Sequence, residues 1–72
     1  MAIFTGKEPL EKYSCEIKLN NPVFVLDIPK MLNIAEDYCE NLIAVRDNKV
    51  LMQDELIFDG DEIEIFIAVM GG

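Results

Sequence analysis

The stretch Asp59-Gly60-Asp61-Glu62-Ile63-Glu64-Ile65-Phe66-Ile67-Ala68-Val69-Met70 decides how this chain folds. Ile63, Ile65, Ile67 and Val69 are β-branched and recur every second residue, the pattern of a strand with one face on a core. The opposite face carries Glu62, Glu64, Phe66, Ala68 and Met70, and so changes from acidic to apolar towards the end of the chain. Asp59-Gly60-Asp61 before the strand is a turn, with Gly60 free to take positive φ. Working backwards, Leu56 and Phe58 are expected to anchor the connection 53–58. Leu42–Arg46 and Lys49–Met52 read as a hairpin around Asp47-Asn48, two residues that tolerate the left-handed conformation a tight turn needs.

Further towards the N-terminus, apolar residues recur at helical spacing between Val23 and Asn41. Val25, Ile28 and Leu32 form one set, and Met31, Ala35 and Tyr38 a neighbouring one. One helix within 22–40 is expected. Pro29 leaves its start open: either Asp27 is the N-cap and Pro29 lies in the first turn, or the helix begins near Pro22 and bends at Pro29. Ser14–Leu19 alternates as a half-buried strand with Cys15, Ile17 and Leu19 inward. Residues 7–13 read as a loop, Thr5-Gly6-Lys7 as a turn, and Ala2–Thr5 as a first short strand. The expected order is strand, strand, helix, strand, strand, strand.

Composition sets the outer bounds. With 72 residues, of which 51% are hydrophobic, the chain has room for one small domain with a core. Its longest apolar runs are too short for a bilayer-spanning helix or a signal-peptide core, so a cytoplasmic protein without membrane attachment is expected. Six basic residues against fourteen acidic ones give a formal charge of −8, which argues against direct nucleic-acid binding. The first 35 residues are balanced. The second half holds ten acids against Arg46 and Lys49, a field that steers the molecule towards basic protein surfaces.

There is no histidine, and Cys15 and Cys39 are the only cysteines. That leaves no material for a disulfide framework, a zinc site or an iron–sulfur cluster, and none for imidazole catalysis. Both cysteines read as small core hydrophobes. Glu36, Asp37 and Glu40 cluster, but solvated-face charges at helical spacing account for them. No catalytic residue, metal site or cofactor is expected.

The chain closes on Met70-Gly71-Gly72. With the strand order above, this layout resembles the ubiquitin-like β-grasp sulfur carriers of the ThiS/MoaD type. The likeness is carried by Asp59-Gly60-Asp61-Glu62-Ile63-Glu64-Ile65 and Ala68-Val69-Met70-Gly71-Gly72. Weaker support comes from Ile3-Phe4-Thr5-Gly6-Lys7-Glu8 and Ile43-Ala44-Val45-Arg46-Asp47-Asn48. The chain departs from the family pattern at Pro29, at a longer link over 35–41, and at Asp47-Asn48 where Asn-Gly is common.

The resemblance implies an α+β β-grasp domain over residues 1–69, a mixed sheet of four to five strands with one helix packed on one face, and a flexible tail, 70–72. It implies a protein that is not itself an enzyme. An ATP-dependent, ubiquitin-activating-like enzyme would adenylate the carboxylate of Gly72, and a sulfur donor would convert it to a thiocarboxylate. An acceptor synthase would then receive the sulfur, for thiamine thiazole, molybdopterin or tRNA thiolation. Gly71 and Met70 would form the tail. Two residues without Cβ thread a narrow slot where side chains would collide. Three extended residues span only about 10 Å, so the body must sit against its partner. Phe66, Ala68 and Met70 offer an apolar docking strip rimmed by Glu62 and Glu64, unless Phe66 or Met70 packs under the N-terminal segment. The free chain is expected to be monomeric. Two other readings stand: a ubiquitin-like modifier joined to target lysines through Gly-Gly, and a plain interaction module with an incidental Gly-Gly.

Overall fold

A computed structural model of the chain describes residues 1–68. Its strands are β1 (Ala2–Gly6), β2 (Cys15–Ile17), β3 (Val23–Phe24), β4 (Leu42–Arg46), β5 (Lys49–Val50), β6 (Leu56–Ile57) and β7 (Glu62–Ile67). Two short helices, α1 (Ile28–Met31) and α2 (Glu36–Cys39), lie between β3 and β4, and 3-10 turns cover Glu11–Tyr13 and Val25–Asp27. Five strands form one mixed sheet in the order β2-β1-β7-β4-β5, while β3 and β6 make a separate antiparallel pair. The alternating stretch Glu62–Ile67 is the centre of that sheet. β7 runs parallel to β1 and antiparallel to β4, so its backbone is paired on both sides. The molecule is thus α+β, with a five-stranded mixed sheet and helical structure packed against one face.

Alternation decides which face is covered. Ala2, Phe4, Ala44, Ile63 and Ile65 point inward and are buried, joined by Leu10, Ile28 and Ile57. Phe4, Leu10, Ile28, Ile57, Ile63 and Ile65 are the largest fully buried side chains, each contributing about 1.5–3 kcal/mol through its removal from water. Cys15 and Ile17 pack partly buried against this core, as does Cys39.

The helical region differs from the single helix expected over 22–40. A 3-10 turn at Val25–Asp27 leads into α1, where Asp27 occupies the N-cap position and Pro29 the first turn. That is the first of the two starts the sequence allows, and Pro29 there forfeits no helical hydrogen bond. Asp27 Oδ2 accepts the Phe24 N–H at 3.1 Å. Asn33, at φ 56°, then stops the helix. The Ile34 N–H donates to the Pro29 carbonyl at 2.9 Å and the Asn33 N–H to that of Lys30 at 3.4 Å, a Schellman end that an Asn in the left-handed region supports. The chain re-enters a helix only at Glu36. Glu36, Asp37 and Glu40 are exposed, as solvated-face charges should be.

Three further expectations are corrected. Leu56 and Phe58 are not anchors: they are 38% and 48% exposed, and Ile57 between them is fully buried. The antiparallel pairing of Phe24 with Leu56 and Val23 with Ile57 puts the odd-numbered residue inward, a register that a two-residue strand is too short to advertise. The return strand stops at Val50, and Leu51 turns into the core instead, its N–H donating to the Ala44 carbonyl at 2.8 Å. Gly6 is no turn residue either. It pairs with Ile65 as the last residue of β1, and a Cβ there would lie 2.0 Å from the Leu10 carbonyl oxygen. The loop after β1 folds back that closely because Leu10 inserts into the core. The hairpin reading of Asp47-Asn48 matches the structure, with φ 54° and 64°, as does Gly60 at φ +95°.

Candidate functional site

The outer face of the five-stranded sheet carries the residues singled out on β7. Glu62 is exposed, and Glu64, Phe66 and Ala68 are partly exposed. Strand register adds neighbours that the sequence reading left out. Ile43 lies opposite Phe66, Val45 opposite Glu64, and Thr5 flanks Glu64 on the other side. Val50, paired with Val45, extends the apolar surface towards the sheet edge and is 64% exposed. The missing signal was present in β4. Leu42-Ile43-Ala44-Val45 is apolar at every position, so this strand presents apolar side chains on its outer face as well as on the core face.

Charge is graded along this face. At its acidic end, Glu62, Glu64, Asp47, Thr5 and Lys7 line an open depression of about 390 Å³. Lys7 Nζ lies 3.5 Å from Glu64 Oε2, with both side chains about half exposed, so the pair contributes little to stability. At the other end, Phe66 and Ile43 lead to Ala68, whose N–H donates to the Asn41 carbonyl at 2.8 Å. Phe66 alternates with the buried Ile63 and Ile65 and so lies on the outer face opposite Ile43, half-buried. Met70, Gly71 and Gly72, and with them the expected tail, lie outside the described residues.

Other polar groups serve the fold. Arg46 Nη1 donates to Asp61 Oδ2 at 2.8 Å and to the Leu56 carbonyl at 2.9 Å, while Asp61 Oδ2 also accepts the Phe58 N–H. This clasp ties the turn before β7 to β4. Asp59 accepts the Leu19 N–H at 3.0 Å and lies 3.3 Å from the N-terminal ammonium. The hydrogen bond first, and then the ammonium and Lys18, hold its carboxyl below the usual aspartate range. Burial pushes the Cys15 thiol up, which lowers the thiolate fraction on which nucleophilicity depends. Among the described residues, no three His, Cys, Asp or Glu side chains gather as metal ligands, and no helix is long and apolar enough to cross a membrane. No model of a known protein family matches the chain, and no curated protein matches its sequence.

Proposed function

We propose that this chain is a β-grasp sulfur carrier of the ThiS/MoaD type, a protein co-substrate whose working group is the carboxylate of Gly72. The observation that carries the reading is β7. It is the central strand, paired on both sides, and it runs towards the Gly71-Gly72 end of the sequence beside an apolar outer strip. A strand fixed in this way gives a partner enzyme a rigid body to hold while chemistry proceeds on the residues beyond. The sheet order and the helical cover on one face support the β-grasp assignment.

In this reading Phe66, Ala68 and Met70, with Ile43 alongside and Glu62 and Glu64 at the rim, dock the body on an ATP-dependent activating enzyme. The carboxylate oxygen of Gly72 attacks the α-phosphorus of ATP, and pyrophosphate leaves. Hydrosulfide released by a sulfur donor then adds to the acyl carbon, the acyl–phosphate bond breaks and AMP departs, leaving a thiocarboxylate for an acceptor synthase. The like charges of carboxylate and nucleotide repel, and cations of the partner must offset this. No residue of this chain is assigned to catalysis.

The test combines two measurements. Intact mass of the protein from its native host should show a chain ending at Gly72, with a fraction in which one oxygen is replaced by sulfur. Purified chain, ATP and an activating enzyme should release pyrophosphate, and Gly72→Ala should lower that release while leaving Tm nearly unchanged. Residues beyond Gly72 in the mature protein, or full adenylation of the variant, would sink the proposal. Lysine-linked branches ending in Gly-Gly on other proteins would instead favour the modifier reading.

A further inference from the structure

Segment 53–58 and the strand it pairs with carry a second exposed apolar surface. Phe24 and Leu56 are paired across β3 and β6 with both side chains exposed, and Phe58, just beyond the end of β6, is about half exposed as well. Leu26, 62% exposed, adjoins them, and Phe24, Leu26, Gln53 and Asp54 wall a shallow groove of about 310 Å³. A fully exposed phenylalanine offers roughly 200 Å². Two phenylalanines about half exposed and two exposed leucines thus make a patch of a few hundred Å², the size at which an apolar surface marks a binding site. Nothing among the described residues covers it. It lies on the small two-stranded sheet, separate from the outer strip on β4 and β7.

Charge indicates what fits there. Residues 53–62 contain five acids and no base. Of the acids nearest the groove, Asp27, Asp54 and Glu55 have no ion-pair partner among the described residues, while Asp59 and Asp61 are paired with the N-terminus and Arg46. Asp27 and Glu55 only accept backbone N–H groups, from Phe24 and Met52. A second copy of this chain would bring like charges together across the patch, on top of a net −8 per molecule.

We infer that the Phe24–Leu26–Leu56–Phe58 surface docks a basic amphipathic segment of a protein partner: large apolar side chains seat in the groove, and lysines or arginines beside them meet Asp27, Asp54 and Glu55. This second interface operates whether or not Gly72 is activated, so it does not depend on the sulfur-carrier reading.

The probe is a synthetic amphipathic helix of leucine and lysine, titrated into the isotope-labelled full chain and followed by amide shifts. A matched peptide with glutamate for lysine is the control. Shifts should concentrate at Val23–Asp27 and Gln53–Phe58, and the glutamate peptide should not bind. Leu26→Ser with Phe58→Ser should weaken binding by at least about tenfold. Both positions are exposed, so the spectrum elsewhere should be unchanged. Asp54→Asn should weaken binding several-fold and reduce its salt dependence. Shifts centred on Ile43, Val45 and Phe66, equal binding by the two peptides, or no binding at all would overturn the inference. So would sedimentation showing a dimer that Leu26→Ser dissolves, which would assign the surface to a second copy.

Discussion

At the residue scale, three positions bear more than their type suggests. Gly6 is enclosed by the Leu10 carbonyl, which a Cβ would approach to 2.0 Å. Backbone cannot yield as a flexible side chain can, so Gly6→Ala should cost about 3 kcal/mol or more, read as a lower midpoint in chemical denaturation. Arg46 holds both Asp61 and the Leu56 carbonyl. Arg46→Ala leaves their oxygens without the charged donor and should cost about 1–3 kcal/mol, with Arg46→Lys recovering part because a single ammonium still reaches one acceptor. Asp59 gives the pH dependence. Its folded carboxyl titrates below the unfolded value, so its contribution is present above about pH 4 and is lost as pH falls through the lower folded value. Asp59→Asn should therefore lower Tm slightly at neutral pH, and the difference from the parent chain should vanish in strong acid. A difference that persists there would assign the effect to packing instead. The group is exposed, so salt should shrink it as well.

At the element scale, the β4–β5 hairpin shows how local chemistry can be improved. Asp47 and Asn48 both take positive φ, as a two-residue turn that matches strand twist requires. Asn48→Gly removes the Cβ cost at the second position and should raise stability by about 0.5–1 kcal/mol, read as a higher Tm, with the amide shifts of β4 and β5 unchanged. Elements of this kind were legible in the sequence because their determinants are local: alternation over Glu62–Ile67 and turn residues at 47–48 and 60, whereas Pro29 allowed two helix starts and only the structure chooses the one at Asp27. What stayed hidden depends on partners distant in sequence. The face of β6 is set by pairing with β3 some thirty residues earlier, so Leu56, Ile57 and Phe58 could not be sorted by pattern. The break at Asn33 rests on a helix end that the apolar spacing alone runs straight through. The outer strip was half legible: Phe66 follows from alternation, whereas Ile43 joins it only through register.

At the scale of the whole molecule, charge and shape divide the work of recognition. The excess of acids lies in the second half of the chain, which supplies β4, β7 and, apart from Asp27, the acidic rims of both apolar surfaces. Long-range attraction acts before contact and is screened by salt, whereas apolar contacts form on docking and are not. For the activating enzyme of the sulfur-carrier reading, two variants should separate these terms. Glu62→Gln with Glu64→Gln removes charge while keeping shape, so the association rate should fall and its salt dependence flatten, with dissociation nearly unchanged. Phe66→Ala removes buried contact and leaves the field intact, so dissociation should quicken by about tenfold or more while association barely moves. Stopped-flow binding at low and high salt distinguishes the two. If Phe66→Ala altered neither rate, docking would not use the outer face of β7, and the central strand would position the chain end without itself touching the enzyme.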